Sequence, residues 1–235
     1  MIGYIIFDKK NSLDYGVHVS DTDSQNAPER VYQTETVPGR NGALSYDTKA
    51  FSNITISYPA FVYENADTNI QAFRNYLASK NGYKRLEDSF HPEEYRMGRV
   101  ASSFKVNKTV NGMKGRFTVE FDCKPQRFLK LGEITEEYTD DFIVYNPTLF
   151  EAKPLLRVYG NGILSINDID ITIDSPTNYI DIDCDLQDAY FNLQNMNQYI
   201  TLSGYDFPVL GAGENAIRLG DGIEKVRFTP RWWQI

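Results

Sequence analysis

The chain has 235 residues, enough for one large domain or two ordinary ones, and its 41% hydrophobic and 14% aromatic content excludes wholesale disorder. A net charge of −8 argues against a protein that grips nucleic acid by its phosphates, which takes clustered Lys and Arg, although an acidic wall lets DNA slide past without sticking. No run of roughly 20 apolar residues is there to span a bilayer, and the apolar start Met1 to Phe7 runs into Asp8, Lys9 and Lys10 with no basic leader, so it does not read as a signal peptide.

In chain order, period-two alternation predicts strands at Tyr4–Phe7, Val17–Val19, Val31–Val37 and Ile54–Val62. Between the last two lies Pro38-Gly39-Arg40-Asn41-Gly42, which lacks a phosphate-loop pattern and a following helix and reads as a turn. The polar, Gly-punctuated segment Val37 to Ala50 has no firm strand register, which makes it an outward-reaching arm. Pro38, Gly39, Arg40, Asn41 and Gly42 are therefore candidate subunit-contact residues, with Arg40 suited to a bidentate pair with a neighbour's carboxylate; a plain surface hairpin is the alternative.

A helix is predicted over residues 68–80. Thr68 and Gln71 have capping-box spacing, Ile70, Phe73 and Leu77 follow at helical spacing, and Gly82 is a natural stop. A strand over Tyr95–Val106, a hairpin turn at Asn111-Gly112 and a strand over Arg116–Lys124 come next, the last with Phe117, Val119, Phe121 and Cys123 on one face. Residues 131–150 read as a looser connection. From Leu155 the chain is almost purely β. A two-residue turn at Asn167-Asp168 sets Leu164 opposite Ile171 and Ile166 opposite Ile169, with Ile173 on the same face. Gly160-Asn161-Gly162 reads as another hairpin turn. Ile180, Ile182, Cys184 and Leu186 form a further apolar row, and Val226 and Phe228 a last one before Pro230. This reading gives a mostly β chain: a β-sheet or barrel-like first domain with one helix over residues 1–130, the connection over 131–150, and a β-sandwich over 151–235.

Site chemistry is sparse. Asp181, Asp183 and Asp185 mimic the start of a calcium loop, but its sixth position is Leu186 and its twelfth Asn192, so they read as the wet face of a strand, as do Asp168, Asp170 and Asp174. His18 and His91 read as surface histidines without a nucleophile elbow. Glu93 and Glu94 point to opposite faces of a strand and cannot flank one glycosidic bond. Cys123 and Cys184 read as small buried hydrophobes. No catalytic residue, metal or cofactor is expected. Two rivals to a structural subunit are a carbohydrate-binding module, with Trp232-Trp233 as a stacking platform or, alternatively, a closing strand tucked into a core, and a cell-wall hydrolase.

The motifs, in their order, resemble those of the distal tail (Dit) proteins of siphophages infecting Gram-positive bacteria. Val37 to Gly42 is similar to that family's early P-G-R-x-G loop; Asp88 to Arg99, with His91-Pro92 and Tyr95, to its acidic-proline-tyrosine stretch; and Phe121 to Pro125 to the F-x-C-x-P end of its first domain. Asn146 to Gly162, Gly204 to Pro208 with Gly213 to Asn215, and Pro230-Arg231-Trp232 resemble later parts. The resemblance implies a phage tail-tip protein made in the host cytoplasm and kept in the virion. It implies a usually six-fold homo-oligomeric ring built by the first domain, with a galectin-like second domain outside it. The implied partners are the tail tube protein and the tail-associated tip protein, with DNA passing through a channel and no membrane contact. The chain is too short to carry the inserted carbohydrate-binding modules of larger relatives.

Overall fold

The computed structural model describes residues 2–23, 26–101, 107–108 and 114–235, so the predicted Asn111-Gly112 turn and the end of the predicted Tyr95–Val106 strand lie outside the described residues. The chain divides into a unit of residues 1–127 with Ile235 and a unit of residues 128–234. The division falls inside the long strand Gly115–Leu129. No helix among the described residues is long and apolar enough to cross a membrane.

The first unit is a sheet that closes on itself. Its strands run in the order Lys10–Asn11, Ile5–Phe7, Lys84–Asp88, Glu94–Val100, Gly115–Leu129, Ile54–Val62, His18–Val19. A two-bond bridge then joins Val19 to Gly3, just ahead of the second strand: Gly3 N–H donates to Val19 O (2.7 Å) and Val19 N–H to Gly3 O (2.9 Å). Closure removes most of the free sheet edge. Alternate residues of the central pair fill the interior, with Val119 opposite Tyr58, Phe121 opposite Ile56 and Cys123 opposite Ile54, all but Ile54 fully buried. The predicted strand Ile54–Val62 and the face Phe117, Val119, Phe121, Cys123 are as the alternation requires.

The helix spans Ala66–Ala78, two residues earlier than its predicted limits, and buries Ala66, Ile70, Phe73 and Leu77. Phe73 meets Tyr15 and Phe117 with ring centres 5.6 and 6.4 Å away, and Tyr76 Oη donates to Phe7 O (2.6 Å). The capping box does not form: Asn65 starts the helix in a left-handed conformation (φ 51°) without a side-chain cap, and Thr68 lies inside the first turn. The helix begins at Ala66, which is fully buried.

The second unit is a two-sheet sandwich. One sheet runs Glu136–Tyr138, Ile223–Thr229, Leu155–Gly160, Ile180–Asp183, Asp188–Phe191, Gln194–Asn195; the other runs Phe142–Asn146, Gly213–Leu219, Gly162–Ile166, Ile169–Ile173, Ile200–Leu202. Leu156, Val158, Ile182, Val226 and Phe228 of the first sheet pack with Leu164, Ile166, Ile171 and Ile217 of the second. The Asn167-Asp168 hairpin has the predicted register, Leu164 opposite Ile171 and Ile166 opposite Ile169. Gly160-Asn161-Gly162 is not a hairpin turn: its flanking strands belong to different sheets, and the segment crosses the connection at Gly222, where a Cβ on Gly160 would sit 2.2 Å from Gly222 O. The apolar row from Ile180 ends at Cys184, because Asp183 Oδ1 accepts from the N–H groups of Asp185 (3.0 Å) and Leu186 (3.2 Å) and turns Leu186 out to solvent. Within residues 131–150, read as a loose connection, Glu136–Tyr138 and Phe142–Asn146 supply one edge strand to each sheet.

Cys123 lies in the first core and Cys184 in the second, and burial pushes both thiols up to about 12.

Candidate functional site: an exposed hairpin arm

Residues 30–51 form a hairpin that pairs only with itself among the described residues. Strand Arg30–Thr36 lies antiparallel to Ala43–Phe51, with Tyr32 opposite Asp47, Gln33 opposite Tyr46, Glu35 opposite Leu44 and Thr36 opposite Ala43. Every residue of the first strand is exposed, and only Leu44 and Phe51 of the second are half-buried. Tyr32 and Tyr46, one register step apart, stand on opposite faces of the ribbon, each more than half exposed. Both faces of this two-stranded element therefore meet water, and an isolated hairpin of this kind is marginal by itself.

The base is fastened. Asp47 Oδ1 accepts from Arg30 Nε (3.1 Å) and from Lys49 N–H (2.8 Å), and the Arg30 guanidinium lies 5.3 Å from the Phe51 ring centre. Thr48 Oγ1 donates to Val31 O (2.6 Å), and Ser52 N–H to Glu29 O (2.9 Å). A register shift between Arg30 and Tyr32 with Lys49 at φ 58° bends the ribbon there.

The five residues singled out in the sequence make the tip. Arg40 N–H donates to Val37 O (3.2 Å), closing a turn with Pro38 second and Gly39 third. Gly39 has φ 80°, the value a type II turn demands at that place, and a Cβ there would meet nothing within 4 Å. Pro38, Gly39, Arg40, Asn41 and Gly42 are all exposed. The expectation that Val37 to Ala50 lacks a strand register is corrected: Ala43–Phe51 is a strand in fixed register, so the arm is a two-stranded ribbon, a surface hairpin. The sequence reading missed Tyr32, Leu44 and Tyr46 as its apolar side chains. The only signal is the weak alternation Leu44, Tyr46 between polar neighbours.

Elsewhere several of the side chains considered for chemistry are tied up. Asp88 Oδ2 accepts from Tyr58 Oη (3.0 Å), and Asp88 Oδ1 faces His91 Nδ1 (3.2 Å) and accepts from the N–H of His91 (2.8 Å). Burial and the Asp88 charge push the Tyr58 phenol up. With Arg96 and Arg127 these groups line a cavity of about 20 Å³, room for one water. His18, read as a surface residue, is half-buried and stacks on Phe61 (5.5 Å). Asp181 and Asp183, read as solvent-facing, are buried in ion pairs with Arg157 and Arg231. Among the described residues no three His, Cys, Asp or Glu are grouped to hold a metal. Trp232 is buried in the sandwich core, and Trp233 stacks on Phe150 and donates from Nε1 to Glu151 O (2.9 Å), as a closing strand requires.

The model of the phage tail protein RIFT-related domain matches residues 10–123. Residues 10–123, most of the barrel, are thus similar to that family of phage tail domains. The whole chain also shares the fold of the phage SPP1 Dit protein (gp 19.1), described as a paradigm of the hub adsorption apparatus in phages infecting Gram-positive bacteria, with a TM-score of 0.73 and 15% identity over 100% of both chains. The structure of the phage p2 baseplate in its activated conformation with Sr is similar with a TM-score of 0.46 and 11% identity over 97% of each chain. No curated protein sequence matches the chain. The resemblance to siphophage Dit proteins thus holds in the domain family of the barrel and in the fold of the whole chain, a barrel with one helix and a galectin-like sandwich.

Proposed function

We propose that this tail protein is a structural, non-catalytic subunit of the siphophage tail tip. It forms a six-fold ring that joins the tail tube protein to the tail-associated tip protein and leaves a channel for DNA. The first domain, residues 1 to about 130, builds the ring, and the galectin-like sandwich lies outside it. The observation that carries this reading is the arm of residues 30–51, whose two strands bury no side chain fully. In a ring each arm lies against the next subunit, one patch meeting a different patch, and closure of the rotation satisfies every copy. Arg40 at the tip, which no ion pair holds among the described residues, is placed to take a neighbour's carboxylate. The phage tail domain family and the fold shared with the SPP1 hub protein support the same reading.

The test is electron microscopy and light scattering of the full chain at high concentration, alongside Tyr32→Ser/Tyr46→Ser. Six-fold rings from the parent chain and monomers from the variant are expected. A parent chain that stays monomeric sinks the ring; rings that persist in the variant sink the role of the arm. The carbohydrate-binding alternative is separated by a glycan array, which stays blank for a purely structural subunit.

A further inference from the structure

A second uncovered surface lies in the sandwich, away from the arm in sequence and independent of the ring reading. Strand Phe142–Asn146 is an edge: among the described residues it pairs with Gly213–Leu219 alone. One alternate set of its backbone N–H and C=O groups therefore points away from the sheet. Phe142 and Val144 turn inward onto the core, which leaves Ile143 and Tyr145 on the outer face, 66% and 67% exposed. Leu149 follows at 90% exposure. It is held there rigidly, because Asn146 Oδ1 accepts from both Thr148 N–H and Thr148 Oγ1 (2.9 Å each), while Asn146 Nδ2 donates to Phe150 O (2.9 Å) and Leu210 O (3.1 Å). Within its five residues the strand has no Lys, Pro or bulge to blunt it, and Pro147 comes only after its end.

The charge around it names the occupant. Exposed Asp140 and Asp141 precede the strand and Glu214 lies opposite Tyr145, whereas Arg218, on the paired strand, is the one cation on the strands of this sheet. A second copy brought edge to edge would set these carboxylates against each other. We propose that this edge takes an extended, basic-flanked segment of another protein, added to the sheet as a further strand. Its backbone pairs with Phe142–Asn146, its apolar side chains cover Ile143, Tyr145 and Leu149, and its basic ends meet Asp140, Asp141 and Glu214.

The probe is a synthetic peptide, Lys-Val-Thr-Val-Thr-Val-Lys, titrated into the full chain with hydrogen exchange read at residues 142–146, and its Glu-flanked counterpart as control. Saturable binding of the basic peptide is expected, with slowed exchange at that strand and an affinity lower by about tenfold or more for the acidic peptide and for Tyr145→Lys. Both substituted side chains are exposed, so the melting temperature of Ile143→Lys or Tyr145→Lys matches the parent. Absence of saturable binding, protection elsewhere, or equal affinity for the two peptides overturns the proposal. So does a parent chain that self-associates through this edge, shown by sedimentation that Tyr145→Lys makes monomeric.

Discussion

Arg231 grips the carboxylate of Asp183 with two parallel hydrogen bonds, Nη1 to Oδ1 at 2.7 Å and Nη2 to Oδ2 at 2.9 Å, although Asp183 is only 4% exposed. Arg231 itself stands at φ 61°, and its N–H donates to Gly132 O (2.8 Å), so the pair fastens the end of the chain to the middle of the sandwich. Removing one partner leaves the other charge desolvated without its complement. Asp183→Asn is expected to cost about 3 kcal/mol, read as a lower midpoint in urea.

The same pair sets an acid limit. Burial alone raises the pKa of Asp183, but Arg231 and the backbone N–H groups of Leu186 and Asp185 outweigh it and hold the carboxyl below its ordinary value. A depressed pKa contributes stability above the unfolded-state value, about 4, and loses it as pH falls through the folded value. Thermal midpoints of the parent are expected to drop below pH about 4, and Asp183→Asn to flatten that part of the curve.

Phe73 closes the helix onto the barrel. With 2% exposure and ring contacts to Tyr15 and Phe117, Phe73→Ala should cost about 3–5 kcal/mol. An unchanged melting temperature would show that the helix face carries no load.

Two glycines at similar φ should behave differently. Gly39 (φ 80°) has open space where a Cβ would go, so Gly39→Ala meets only the left-handed penalty of about 1–2 kcal/mol, confined to the tip of the arm, and leaves the global melting temperature almost unmoved. At Gly160 (φ 91°) the Cβ would lie 2.2 Å from Gly222 O, a backbone atom that cannot step aside. Gly160→Ala adds that clash to the same penalty, and scanning calorimetry should show a clear loss of stability.

DNA binding is expected to be undetectable by gel shift at physiological salt, since the net charge is −8 and phosphate-driven binding weakens steeply as salt rises. Micromolar affinity for duplex DNA under those conditions contradicts a channel wall that DNA slides past.

The strands with one wet face were legible because period-two alternation states burial directly, as in Phe117 to Cys123 and in the hairpin around Asn167. What escaped depends on tertiary partners. Asp183 sits where alternation says solvent, and it is buried because Arg231, 48 residues away, covers it. Gly160 and Gly162 carry the signature of a turn, but a turn between two sheets and a hairpin look alike until the strands' neighbours are known. The helix starts at the buried Ala66, two residues ahead of the start that the spacing of Thr68 and Gln71 indicates. At the candidate site the tip was legible from Pro38 and Gly39. The strand Ala43–Phe51 was not, because a ribbon exposed on both faces has no buried face to write an alternation into its sequence.

Each of the two cores holds one cysteine, Cys123 in the barrel and Cys184 in the sandwich, and these are the only thiols in the chain. Both stay protonated at neutral pH and out of reach of solvent, so neither can be alkylated in place. Reaction must wait for the surrounding unit to open. The chain therefore carries two built-in clocks: the labelling rate of each thiol under native conditions times the opening of its own unit, without any probe being introduced.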